Sequence, residues 1–148
     1  MIEIERKFKV KGDFRPFAAR KITIIQGYLC SSRERTVRIR IKDNSAFLTV
    51  KGPGNENGFS RMEFEYEIPV ADGYQILDLT ECRIEKERFL VPVGKHTYEV
   101  DVFHGRHEGL IVAELELASE DESFEKPDWL GEEVTGDERY YNAYLAQE

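Results

Sequence analysis

Cysteine is scarce: Cys30 and Cys82 are the only two, so neither a disulfide framework nor a cysteine-rich metal site can be built. Two isolated thiols suit a reducing compartment, and a cytoplasmic location is expected. No apolar run approaches the roughly 20 residues needed to span a bilayer. The first residues enter a charged strand pattern directly, so no signal peptide is expected. A Gly-x-x-x-x-Gly-Lys-Ser/Thr loop and a Gly-x-Gly-x-x-Gly fingerprint are both missing, so no helix N-terminus is marked out to cradle phosphate. Positive charge is also short. The formal net charge is −8, which argues against nonspecific binding to nucleic acid or membranes.

What is present is a foldable chain with unevenly placed charge. Its 148 residues, 41% apolar with nine Phe and seven Tyr, exclude global disorder. They are enough for one domain, 1–148, that buries roughly two-thirds of its chain surface. From Glu114 onward there are 12 acids against two bases, and residues 33–42 hold five bases against Glu34. A polyanion would therefore need a focused basic site or metal cations.

Alternation predicts strands at about 2–10, 21–31, 35–42, 45–51, 59–68, 83–91, 96–103 and 109–118. Asp13 is placed to cap a short helix through Ala19, and 70–80 suits a second helix. Asp137 is placed to cap a third over 138–146, with Tyr140, Tyr141, Tyr144 and Leu145 docking it. A strand–helix–three-strand unit thus occurs twice. The expected class is β-rich α+β: an eight-stranded antiparallel barrel, closed or nearly so, with helices outside.

The strands carry an unusual charge pattern. Glu3, Glu5 and Lys7 share one side of a two-residue period, opposite Ile2, Ile4 and Phe8, with Arg6 interrupting the apolar side. Successive strand side chains point to opposite faces, so two carboxylates and an ammonium line up in one row. Glu is depleted in strands and neighbouring like charges repel, so the row needs a partner. Versions of it recur. Glu63, Glu65 and Glu67 alternate with aromatics, Glu114 and Glu116 with leucines, and Glu99 and Asp101 with valines. Arg38, Arg40 and Lys42 alternate with isoleucines, Lys86 and Arg88 flank Glu87, and Lys51 follows Val50. A solvated face would mix Thr, Ser, Gln and Lys with the Glu. Segregated acid pairs and Arg pairs point instead to a polar barrel interior.

Clustered carboxylates raise one another's pKa unless cations sit between them. Oxygen-only donors suit Mg²⁺ or Mn²⁺, with waters completing the octahedron. Arg supplies forked, permanently charged donors that match phosphate oxygens, and Lys supplies point charges. Both sets facing one cavity describe a metal–polyphosphate site.

The opening Glu3-x-Glu5-x-Lys7 resembles the signature of the triphosphate tunnel metalloenzymes, also called the CYTH domain superfamily. The match continues in order through Arg38-x-Arg40, Thr49-Val-Lys51-Gly52, Arg61-x-Glu63-x-Glu65, Lys86-x-Arg88, Asp101 and Glu114-x-Glu116. The stretch from Trp129 to Asn142 resembles the short bacterial members, so the resemblance spans essentially the whole chain. It implies a tunnel with inward acids and bases and metal-dependent hydrolysis or transfer at a triphosphate. Carried over residue by residue, Lys7, Arg38, Arg40, Lys51, Lys86 and Arg88 would grip phosphate. Glu3, Glu5, Glu63, Glu65, Asp101, Glu114 and Glu116 would hold two Mg²⁺ or Mn²⁺ ions. Glu3, Glu5, Lys7, Glu114 and Glu116 would form the catalytic set.

An inorganic triphosphatase acting on tripolyphosphate is the leading expectation, because little chain remains for a nucleobase pocket. Adenylate cyclase, thiamine triphosphatase and nucleoside triphosphatase stay open within the resemblance, as does a non-catalytic polyphosphate-binding module. A lipocalin-like carrier would need an apolar interior. Glu67 is expected at the tunnel rim, Arg139 at the surface, and His96, His104 and His107 in solvated turns. Arg61 is left between an acid partner and phosphate. Charges on both faces of 83–91 leave the register of Lys86 and Arg88 open, and the chain is expected to be a monomer or homodimer.

Overall fold

The computed structural model describes residues 2–146. All eight expected strands form: β1 Ile2–Val10, β2 Arg20–Ser31, β3 Thr36–Lys42, β4 Ser45–Lys51, β5 Ser60–Ile68, β6 Arg83–Val93, β7 His96–Phe103 and β8 Ile111–Glu116. They are joined antiparallel in the closed order β1-β5-β4-β3-β2-β6-β7-β8, returning to β1. Closure is short, three residue pairs from Ile2↔Met62 to Ile4↔Ser60. The two strand–helix–three-strand units interlock: the first strands of each pair together, as do the second, and each fourth strand pairs with the other unit's first.

Because the interior is polar, the apolar cores lie mostly on the barrel's outer wall. Phe8, Tyr98, Val100, Ala113 and Leu115 pack beneath Phe14, Trp129 and Leu130. Ile39, Ile41 and Ala46 pack beneath Leu77 of helix α1, Val70–Leu77. That helix lies outside, as expected.

Three local expectations change. The segment after Asp13 makes a single 3-10 turn, Arg15–Phe17, with the Asp13 carboxylate accepting from Arg15 N. A ninth strand, β9 Leu130–Glu133, continues the β1 edge where β5 has ended. The tail helix is split: a 3-10 turn at Glu138–Tyr140, capped by Asp137, then Tyr141 extended, then α2 at Asn142–Leu145. Barrel groups capture the break, with Lys7 Nζ donating to Tyr140 O at 3.2 Å and Lys86 Nζ donating to Asn142 Oδ1 at 2.8 Å. Leu145 and Ala146 do not lie on the outer wall. They pack against Ile84, Phe103 and Val112, which stand directly opposite the inward residues Gln26, Lys86 and Asp101. The tail therefore plugs one end of the barrel.

Candidate active site

Strand register turns the charged rows inward. Directly opposed residues share a face. Lys7 faces Glu114 and Glu5 faces Glu116 across β1 and β8. Lys51 faces Glu63 and Thr49 faces Glu65 across β4 and β5. Arg88 faces Asp101 across β6 and β7, which fixes the register that sequence left open. A cavity of about 750 Å³ runs between these walls. Every expected site residue lines it except Lys86 and Asp101.

Some acids are matched by bases of the chain. Lys51 Nζ donates to both oxygens of Glu3 at 2.9 Å, and Arg61 Nε reaches Glu3 at 3.5 Å. Burial pushes the Glu3 carboxyl up, but Lys51 and its hydrogen-bond partners outweigh this and bring it to about 2. Glu114 lies 3.8 Å from both Lys7 Nζ and Arg88 Nη2. Burial raises its pKa, yet Lys7 and Arg88 hold it well below the usual range. Thr49 bridges Arg38 (3.2 Å) and Glu65 (2.9 Å).

Others are matched less well. Burial, Glu114 and Glu3 push Glu5 well above the carboxylate range. Burial and Glu3 raise Glu63 even though Lys51 Nζ lies 3.3 Å away, and burial, Glu3 and Glu99 raise Glu116. Among the described residues no three acids or histidines already converge on one ligating point. The donor set nevertheless fits a hard divalent cation: it is all oxygen, it opposes Glu5 to Glu116, and its charge is only partly answered by the protein's own bases. The basic side is also incompletely paired. Arg38 Nε is the buried side-chain nitrogen left without a hydrogen-bond partner among the described residues, and burial with Arg38 and Arg88 lowers Arg40 to about 10. A buried donor without an acceptor is costly, and an anion would relieve it.

Lys86 and Asp101 sit deeper, next to the tail plug. Asp101 is wholly buried and accepts from Lys86 Nζ (2.6 Å), Arg88 Nε (2.8 Å) and Arg88 Nη2 (2.9 Å). Both its oxygens are thus taken by cations of the chain. Burial raises its pKa, but Arg88 and Lys86 hold it below the usual range. Lys86 Nζ is spent on Asp101 and Asn142.

Among the lining residues that escaped sequence reasoning as site members, four stand out. Glu99 lies 3.3 Å from Arg88 Nη1 and takes the place in the wall expected of Asp101; the Glu99-x-Asp101 alternation held the signal. Tyr141 lays its ring 5.5 Å from Lys7 Nζ and 5.9 Å from the Arg61 guanidinium. Tyr28 faces the cavity from β2, and Thr135 from the tail segment. Glu67 is exposed at the rim, and Arg139 pairs with Asp137 at the surface. Of the histidines, His96 pairs with Glu122, His104 with Glu87, and His107 with the Leu145 carbonyl.

A closed antiparallel barrel with a segregated, charged and water-accessible interior is a restricted class of protein. Residues 1–141 match the CYTH domain model, and the chain belongs to that family. It is 45% identical over 148 residues to an inorganic triphosphatase of Acetivibrio thermocellus, covering 98% of this chain and 93% of that protein. It is 39% identical over 152 residues to an inorganic triphosphatase of Nitrosomonas europaea, covering 99% and 97%. The fold matches a crystal structure of an inorganic triphosphatase with a TM-score of 0.70 at 34% identity, over 99% of this chain and 95% of that one.

Proposed function

We propose that this chain is a metal-dependent inorganic triphosphatase that hydrolyses tripolyphosphate to pyrophosphate and phosphate. The observation that carries the reading is one cavity holding acids raised by burial and by one another, Glu5, Glu63 and Glu116, together with an unpartnered buried donor on Arg38. The names and near-complete coverage of the two bacterial relatives support it.

In this reading Lys7, Arg38, Arg40, Lys51 and Arg88 engage phosphoryl oxygens. Glu5, Glu63 and Glu116 hold Mg²⁺ or Mn²⁺, joined by Glu3, Glu65 and Glu114 as substrate draws Lys51, Arg38 and Lys7 away from them. Two divalent ions held there would neutralise phosphate charge and activate the attacking water. Arg88 enters the cavity with its Nε and Nη2 fixed by Asp101, so less side-chain entropy is lost on binding. Asp101 and Lys86 are assigned as supports for Arg88 and the tail, not as metal ligand and phosphate ligand. The free thiols of Cys30 and Cys82 suit the cytoplasm. Among the described residues no helix is long and apolar enough to cross a membrane.

The test is phosphate release from tripolyphosphate, ATP and thiamine triphosphate with Mg²⁺, Mn²⁺ or chelator. Cleavage should favour tripolyphosphate and vanish with chelator. Tight binding without turnover under either metal would sink the enzymatic reading in favour of a binding module.

A further inference from the structure

From Ile22 to Tyr28 the inward row of β2 carries no charge. Ile22, Ile24, Gln26 and Tyr28 face Arg88, Lys86, Arg40 and Arg38 respectively. Gln26 is wholly buried, and a buried amide must be placed by its hydrogen bonds. Arg40 Nε can only donate, and it donates to Gln26 Oε1 at 2.7 Å. That fixes which end of the amide is which. Gln26 Nε2 therefore donates to the Tyr28 hydroxyl oxygen at 3.0 Å. With its oxygen accepting from Gln26, the hydroxyl proton is turned away from the amide. Among the described residues no acceptor takes it, and Tyr28 lines the cavity.

Two further observations meet at this point. Directly across the ladder stands Arg38, whose buried Nε has no partner either. Immediately after Tyr28 the ladder with β3 slips by one residue at Leu29, the kind of bulge that re-aims a side chain beside a site. Two adjacent donors on cavity-lining residues thus stand without an acceptor among the described residues.

We infer that Tyr28 donates a hydrogen bond to a phosphoryl oxygen of the substrate, and that Gln26 is the positioning residue that aims this proton by tying the hydroxyl to Arg40. The inference rests on the triphosphatase reading above. It assigns β2 a neutral donor beside the arginines, one that binds an oxygen without adding charge.

The test is a double-mutant cycle on tripolyphosphate hydrolysis at saturating metal. Tyr28→Phe keeps the ring and removes the proton. It should raise KM about tenfold, the worth of a hydrogen bond to a charged acceptor, and leave kcat nearly unchanged, because such binding is shared by ground and transition states. Gln26→Glu puts an acceptor where the amide nitrogen was, so the hydroxyl proton turns back to it. In that background Tyr28→Phe should cost nothing further, whatever penalty the new carboxylate itself imposes. A packing role for the ring would not produce this coupling. Should a melting curve show that Gln26→Glu does not fold, Gln26→Leu replaces it, and the cost of Tyr28→Phe should again shrink. A Tyr28→Phe variant with parental KM overturns the inference while leaving the triphosphatase reading intact. An equal cost of Tyr28→Phe in both backgrounds overturns the role of Gln26. If the parent binds tripolyphosphate without cleaving it, the same cycle is read on the dissociation constant by calorimetry. A parent that neither binds nor cleaves overturns both readings.

Discussion

Asp101→Asn separates a structural carboxylate from a metal ligand. Asp101 is wholly buried and takes three hydrogen bonds from two cations. Asn fills the same volume but removes the charge and turns an NH₂ toward Lys86 or Arg88, donor against donor. Breaking a buried ion pair by removing one partner costs about 3–5 kcal/mol, because the other charge is left uncompensated. Near this chain length a kcal/mol moves Tm by roughly 2–4 °C, so the expected loss is roughly 6–20 °C. Arg88 cannot shed its proton, but Lys86 can. Burial, with Arg88 and Arg40 beside it, already pushes Lys86 from 10.5 to about 7, and removing Asp101 takes away its main support. A lysine whose folded pKa lies below its unfolded value binds fewer protons folded, so its contribution to stability rises with pH up to about 10.5. The parent gains in the same way above about 7, so the deficit should be largest below pH 7 and level off above about pH 8.

The assay is thermal melting in chelator at several pH values, with half-saturating Mn²⁺ measured in parallel by turnover. Turnover itself will fall, because Arg88 loses its anchor, so kcat does not discriminate. Stability without metal does. A variant melting within about 2 °C of the parent in chelator, yet needing far more Mn²⁺, would refute the reasoning and return Asp101 to the metal ligands.

Glu116→Gln should do the opposite. It removes a carboxylate whose pKa is raised by burial, Glu3 and Glu99, so melting in chelator at pH 8 should hold or rise while half-saturating metal rises about tenfold or more; a stability loss with unchanged metal demand would contradict it. Glu133 pairs with Arg6 at 2.5 and 2.6 Å, and its hydrogen bond to Arg6 lowers its pKa below the ordinary 4.5. That pair stabilises above the unfolded pKa and is lost as pH falls through the lower folded value, so Glu133→Gln should cost about 1 kcal/mol at pH 7 and lose that penalty toward pH 3, read by urea unfolding. Gly27→Ala should destabilise by about 1–3 kcal/mol, because an added Cβ would meet the Thr80 side chain, with its Cβ only 2.8 Å away; a parental urea midpoint would contradict the packing.

Strand alternation made the barrel legible, since a period of two survives reading from any start. It gave the inward rows on β1, β3, β4, β5 and β8 without help. β9 was missed because four residues with Gly131 and two acids offer no alternating apolar row. Arg6 was the available clue. It interrupts the apolar side of β1 and finds its partner in Glu133 on β9, a contact across 127 residues that no local pattern carries. The split of the tail helix was hidden for a similar reason. Tyr140, Tyr141, Tyr144 and Leu145 do keep helical spacing, but Lys7 and Lys86 bond the Tyr140 carbonyl and the Asn142 amide at the break.

Alternation reports which face a side chain takes and says nothing about its depth along the barrel. Lys86 and Arg88 are alike in parity, and so are Asp101 and Glu99. What divides them is distance from the plug formed by Leu145 and Ala146 against Ile84, Phe103 and Val112. Arg88 and Glu99 reach the cavity, while Lys86 and Asp101 are sealed one step nearer the plug and must satisfy each other. The same logic sorts the acids. Glu3 and Glu114 are lowered by lysines at 2.9 and 3.8 Å, whereas Glu5 and Glu116 are raised, and so is Glu63, although Lys51, shared with Glu3, lies 3.3 Å away. A divalent cation therefore gains most where the chain's own bases do least. That preference follows from three-dimensional neighbours on β4, β5 and β8, so seven acids that look equivalent in the sequence divide into better and worse matched sets only once the barrel closes.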